Sequence, residues 1–183
     1  MVLPMLRIVA ILATCVLSCG ARANAQEEET DFVDLLFPGC TVERCVIKWN
    51  MGGRMPLFEF ALDQMQRRNI RHIMLDDACG SACAYVFDYA QAHGIDVCMT
   101  PIAVLAFHKG SNYAKDRSGN AVRDSNGHMV TASYYDPVHT PKVARWIRKH
   151  GGYPIAKTYD GMLKMRAEQA AGIFRLCTPA DIR

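Results

Sequence analysis

Short apolar runs alternate with longer helical segments through the middle of this chain, and that alternation narrows its possible folds more than any other feature. Residues 41–49 carry Val42, Val46, Ile47 and Trp49 and read as a strand. Residues 56–68 place Phe58, Ala61, Leu62 and Met65 at helical spacing, with Asp63, Gln66 and Arg67 facing out. The run 71–75 reads as a second, buried strand. Residues 82–93 are rich in small side chains and read as a helix that Gly94 ends. Two further strand-like runs, 95–99 and 102–107, are split by Pro101. Strand, helix, strand, helix, strand predicts an α/β domain: a mainly parallel sheet, flanked by helices, joined by right-handed crossovers.

Less regular segments surround this centre. Residues 31–37 form a short helix or strand before the Pro38-Gly39 turn. Residues 109–137 are polar and glycine-punctuated, a hairpin or a flexible loop, and no internal repeat is expected. Residues 141–150 form a basic helix with Val143, Trp146 and Ile147 inward. A short helix at 166–171 and a last strand at 173–177 complete the chain.

The first 25 residues are set apart. Arg7, the apolar run 8–17 and Ala23-Asn24-Ala25 before Gln26 form a secretory signal pattern, leaving 26–183 as a single domain. A loose lipobox, Val16-Leu17-Ser18-Cys19, offers lipid anchoring at Cys19 as the alternative. The expected location is therefore periplasmic or secreted. The 21 Lys and Arg against 18 Asp and Glu give +3; without Arg7 and Arg22 this is +1. That balance, with no basic and aromatic tract, argues against nucleic acid as a partner. Nothing after residue 25 is long and apolar enough for a membrane span. Of the eight cysteines, Cys40, Cys45, Cys79, Cys83, Cys98 and Cys177 remain after processing. An even number in an exported chain implies disulfides, with fifteen connectivities open. A metal site using Cys79, Cys83 and His108 is a rival reading.

The chemistry is expected where strands end. In parallel α/β sheets, sites collect at the carboxyl ends of strands. Gly52-Gly53, Ser81 and His108 each follow a presumed strand. Ser81 lies in Cys79-Gly80-Ser81-Ala82-Cys83, between a strand and a helix. The ordinary role there is an N-cap. The reactive one is a nucleophile beside helix-start N–H groups that hold an oxyanion.

These residues resemble the ClpP/crotonase superfamily, and within it the Clp-protease-like serine peptidases, over roughly 45–173. Asn50-Met51-Gly52-Gly53 stands where the family has Ser-Pro-Gly-Gly. Gly80-Ser81-Ala82 stands at its serine turn, and Phe107-His108 at its strand-end histidine. Asp160 stands twelve residues before Gly172, with Glu168-Gln169-Ala170 between them. The Cys79–Cys83 arrangement also looks like that of uncharacterised exported bacterial proteins of this fold. The resemblance implies repeated β-β-α units and a Ser81–His108–Asp160 triad, with Asp136 in reserve for Asp160. Gly53 and Ala82 would supply the oxyanion hole, and no cofactor or metal would be needed. It implies an ATP-independent periplasmic serine peptidase that cuts peptides or unfolded chains and self-associates as a homo-oligomer. A Ser81–Lys109 dyad and a crotonase-type coenzyme A enzyme are lesser readings; the main alternative is an inactive peptide- or protein-binding module. Asn50-Met51 in place of Ser-Pro, the acidic Asp76-Asp77 and the 109–137 segment depart from the pattern.

Overall fold

The computed structural model describes residues 31–182, so the signal pattern and Cys19 lie outside the described residues. The domain is mixed α/β with mainly parallel strand pairing. Asp31 caps the first helix, α1 (Phe32–Leu36), accepting from the N–H groups of Val33 and Asp34. Strand β1 (Arg44–Ile47) follows a tight turn closed by Val46 N–H to Gly39 O at 3.0 Å and by a Cys40–Cys45 disulfide. This clip shortens the strand expected over 41–49.

Helix α2 (Met55–Arg67) buries Phe58, Ala61, Leu62 and Met65, the face its spacing predicts. It also buries Gln64, whose side-chain oxygen accepts the Phe32 N–H at 2.7 Å and ties α1 to α2. Next come β2 (His72–Leu75), β3 (Ala78–Gly80), α3 (Ala82–Ala92), β4 (Asp96–Met99) and β5 (Val104–Phe107). Two short strands thus precede a helix where one run was expected. The chain bends at Asp76-Asp77, and the bend divides the strands between two sheets. One has the order β1-β2-β4-β9, with β9 spanning Arg175–Leu176; the other is β3-β5-β8, with β8 spanning Leu163–Arg166. All neighbours are parallel except β5 with β8.

Phe58, Phe87 and Phe107 are fully buried, with Ile73, Leu75, Met99, Leu105 and Met165 around them. Each such side chain contributes roughly 1.5–3 kcal/mol on burial, so this core fixes where the strand ends point. Helix α4 (Pro141–Lys149) closes it with Val143, Trp146 and Ile147, as its pattern predicts. The short helix expected at 166–171 is instead the end of β8 followed by a 3-10 turn (Ala167–Ala170). A last helix, α5 (Pro179–Ile182), follows β9.

Residues 110–135 form an exposed arm. Strands β6 (Gly110–Tyr113) and β7 (Thr131–Tyr135) pair antiparallel, and two tight turns sit beyond them. Asp116 Oδ1 accepts from Ser118 and Asn120 N–H, and Asp124 Oδ1 from Asn126 and His128 N–H, at 2.8–2.9 Å. Ala114, Val122 and Val130 close a ring of backbone bonds: Val122 N–H to Ala114 O, Val130 N–H to Val122 O, and Ala114 N–H to Val130 O. The segment therefore holds a repeat after all. Lys115-Asp116 and Arg123-Asp124 each open an eight-residue unit ending in valine.

Candidate functional site

Ser81 stands between β3 and α3 with φ 56° and ψ −124°. That region is unfavourable for a side chain bearing a β-carbon and costs of order 1–3 kcal/mol. Its hydroxyl makes no capping bond to the helix it precedes, so the N-cap role does not account for it. Two constraints hold the turn. Ser81 N–H donates to Ala106 O of the adjacent strand at 2.9 Å, and Tyr85 N–H donates back to Ser81 O at 3.2 Å. The Cys79–Cys83 disulfide brackets the serine, so in this oxidised state those two sulfurs are not free thiols for the metal site considered above.

The glycine turn lies directly against this elbow. Asn50 places it: its N–H donates to Ala78 O at 2.9 Å, and its carbonyl accepts Gly80 N–H at 2.8 Å. Its side-chain oxygen accepts Gly52 N–H at 2.9 Å, while its amide nitrogen donates to Leu36 O at 2.7 Å. Gly52 has φ +76°, and a β-carbon there would stand 2.6 Å from Ala82 N. Only glycine fits so close an approach. Among the described residues the N–H groups of Gly53 and Ala82 donate to no protein acceptor, whereas that of Ser81 is used. The thioethers of Met51 and Met162 lie about Gly80: a β-carbon there would be 3.4 and 3.5 Å from their sulfurs.

His108 follows β5, the strand paired in parallel with β3 (Gly80 opposite Ala106). Ser81 and His108 therefore leave the carboxyl ends of adjacent strands. His108 is half-buried, and burial lowers its imidazole pKa below the ordinary 6.5, against a smaller upward effect of a backbone hydrogen bond with Lys109. The ring is thus neutral at pH 7. Lys109 N–H to Pro154 O, 2.9 Å, holds the chain leaving β5. Among the described residues, no hydrogen bond joins the Ser81 hydroxyl to the His108 ring.

Among the described residues, Asp160 makes no bond to the histidine. It lies in a 3-10 turn (Tyr159–Gly161) three residues before Leu163, which pairs with Phe107. Its carboxylate is 97% exposed and 3.7 Å from Lys164 Nζ, with no hydrogen bond to His108. Asp136 is also engaged elsewhere, at 2.8 Å from Lys109 Nζ. Lys109 is thus engaged with Asp136, and among the described residues no hydrogen bond joins it to Ser81. Trp49, 60% exposed, packs on Tyr159 at 5.4 Å, and Lys164 Nζ sits 4.3 Å over the same ring. A shallow depression lined by Asp34, Cys40, Thr41, Val42 and Arg68 includes none of the predicted site residues.

A buried Asp–His pair was not anticipated. His139 Nδ1 lies 3.0 Å from Asp88 Oδ2, the two side chains 2% and 1% exposed. Thr140 N–H and hydroxyl donate to the same carboxylate at 2.8 and 2.6 Å. These bonds fasten the start of α4 to α3, and among the described residues no hydroxyl other than Thr140's is bonded to the pair.

No family model matches the chain, and no curated protein matches it significantly.

Proposed function

We propose that this protein is a serine hydrolase of the ClpP/crotonase type, acting on peptides or unfolded chains in an oxidising, non-cytoplasmic compartment. One observation carries the reading: Ser81 occupies a strained strand-to-helix elbow, uncapped, one strand away from a neutral histidine at the same sheet end. The three disulfides support the compartment. The strand-strand-helix order, β2-β3-α3, supports the superfamily.

In this reading Ser81 Oγ attacks the substrate carbonyl. His108 accepts the hydroxyl proton and later gives it to the leaving group. The Gly53 and Ala82 N–H groups receive the oxyanion, each contributing about 3 kcal/mol to the transition state. Asp160 is the orienting carboxylate implied by the resemblance. In this reading it takes that role once its side chain leaves Lys164 for His108. The exposed Trp49, packed on Tyr159, offers an extended peptide an apolar contact.

The experiment is hydrolysis of activated esters and of a mixed peptide library by the mature chain. Turnover that disappears in both Ser81→Ala and His108→Ala supports the reading. The separation of Asp160 from His108 favours one alternative, a binding module of the same fold. Saturable peptide binding by a folded protein without turnover would establish that alternative.

A further inference from the structure

A second cluster of chemically capable side chains lies on the other sheet, independent of Ser81. His72 opens β2, and its register partner Asp96 opens β4. Cys98 follows two residues later on the same face of β4, the face turned away from the core residues Val97 and Met99. Arg175 of β9 pairs with Cys98, and α5 then brings Asp181 back over this face. Cys98 and Cys177 are joined as a disulfide.

Three of the ligand atoms, from His72, Cys98 and Asp181, already converge, and Cys177 is joined to Cys98. His72 Nε2 is 3.9 Å from Cys98 Sγ and 3.6 Å from Asp181 Oδ1. In a tetrahedral zinc site with ordinary bond lengths, neighbouring nitrogen and sulfur ligands stand about 3.6 Å apart, and nitrogen and oxygen about 3.4 Å. The observed edges are within a few tenths of an ångström of both. The other imidazole nitrogen, Nδ1, lies 2.9 Å from Asp96 Oδ2. A carboxylate on the far imidazole nitrogen is the outer-shell arrangement that metal-binding histidines use. Arg175 holds both carboxylates, at 2.8–2.9 Å from Asp181.

We propose that Cys98, Cys177, His72 and Asp181 form a redox-gated zinc site, shut while the disulfide is intact and opened by reduction. A dithiol reductant supplies two electrons and two protons and becomes a disulfide; the Cys98–Cys177 bond breaks into two thiols. Zn(II) then binds both sulfurs, displacing their protons to solvent, with His72 Nε2 and the Asp181 carboxylate completing four ligands. One imidazole, one carboxylate and two thiolates are a zinc donor set. The consequence is that β9 and α5 stay docked on β4 in either state, by a covalent bond when oxidised and by the metal when reduced.

The test is a Co(II) titration of the full mature chain, oxidised and after anaerobic reduction with a phosphine. The reduced protein is expected to bind one Co(II), with thiolate-to-cobalt charge transfer and tetrahedral visible bands that Zn(II) abolishes. The oxidised protein is expected to show neither. Asp96→Asn should weaken binding by about tenfold or more, and His72→Asn by at least as much. A variant with Cys40, Cys45, Cys79 and Cys83 all changed to Ser should keep the signal; if it does not fold, His72→Asn in the otherwise unaltered chain decides. No thiolate–cobalt band on reduction, or a band whose affinity ignores His72→Asn, overturns the proposal. So does a band lost from the folded four-serine variant.

Discussion

Replacing Gly52 by alanine should damage the protein far more than the same change at Gly53. At Gly52 the backbone has φ +76°, where an L-residue costs roughly 1–2 kcal/mol. The added β-carbon would also lie 2.6 Å from both Ala82 N and Gly80 O, and 2.9 Å from Ser81 Cβ. Two of these neighbours are backbone atoms, in a turn whose Gly80 and Ser81 N–H groups are bonded to Asn50 O and Ala106 O, so the overlap cannot be relieved by turning a side chain. Overpacking of this kind typically costs about 1–3 kcal/mol. Together the two effects predict a loss of about 2–5 kcal/mol. At Gly53 the nearest atom to an added β-carbon is Phe58 Cε2 at 3.5 Å, ordinary contact, and φ is not positive. Gly53→Ala should stay within about 1 kcal/mol of the parent, helped by the smaller entropy of the unfolded chain. Urea unfolding of the two variants measures the difference. Equal losses, or a larger loss at Gly53, would refute the claim that Gly52 alone lets the glycine turn rest on the serine elbow.

Other expectations follow from the same geometry. Asp88→Ala leaves His139 and the two Thr140 donors buried without their acceptor, and should cost about 3–5 kcal/mol in urea unfolding; a loss below 1 kcal/mol would contradict the fastening role. Hydrolysis should need neutral His108, so its rate should fall on acidification with a midpoint below 6.5 and be level at pH 7. A midpoint above 6.5 in the free enzyme's pH–rate profile would contradict the burial argument. Asp160→Asn should leave stability within about 0.5 kcal/mol, because the side chain is exposed. The same variant should lower kcat/KM by about tenfold or more, and an unchanged kcat/KM would reduce the machinery to Ser81 and His108.

Much of the fold was legible because burial imposes periodicity. The faces of α2 and α4 were readable from Phe58, Ala61, Leu62, Met65 and from Val143, Trp146, Ile147, since each stripe meets the core. What escaped was set by contacts between distant residues. The bend at Asp76-Asp77 has no local signature separating β2 from β3; it is fixed by Asp76 N–H to Ile47 O and Val104 N–H to Asp77 O. Strand β8 was hidden because Leu163-Lys164-Met165-Arg166 buries only Met165 fully. The repeat in the arm was missed although its aspartate and glycine spacing is visible, since each copy is barely longer than a turn. In the candidate site, the strand-end positions of Ser81 and His108 were readable from the run lengths. The side-chain direction of Asp160 was not, because nothing in the sequence says whether Lys164 or His108 takes it. Nor did one aspartate inside α3 point to a histidine 51 residues later.

The most direct measurement is labelling of the disulfide-intact protein with a fluorophosphonate, followed by mapping of the modified peptide. A strained elbow serine one strand away from His108 should take one label per chain, on Ser81, and neither Ser81→Ala nor His108→Ala should take it at a comparable rate. A folded protein that remains unlabelled, or one labelled on a different serine, would contradict the hydrolase reading.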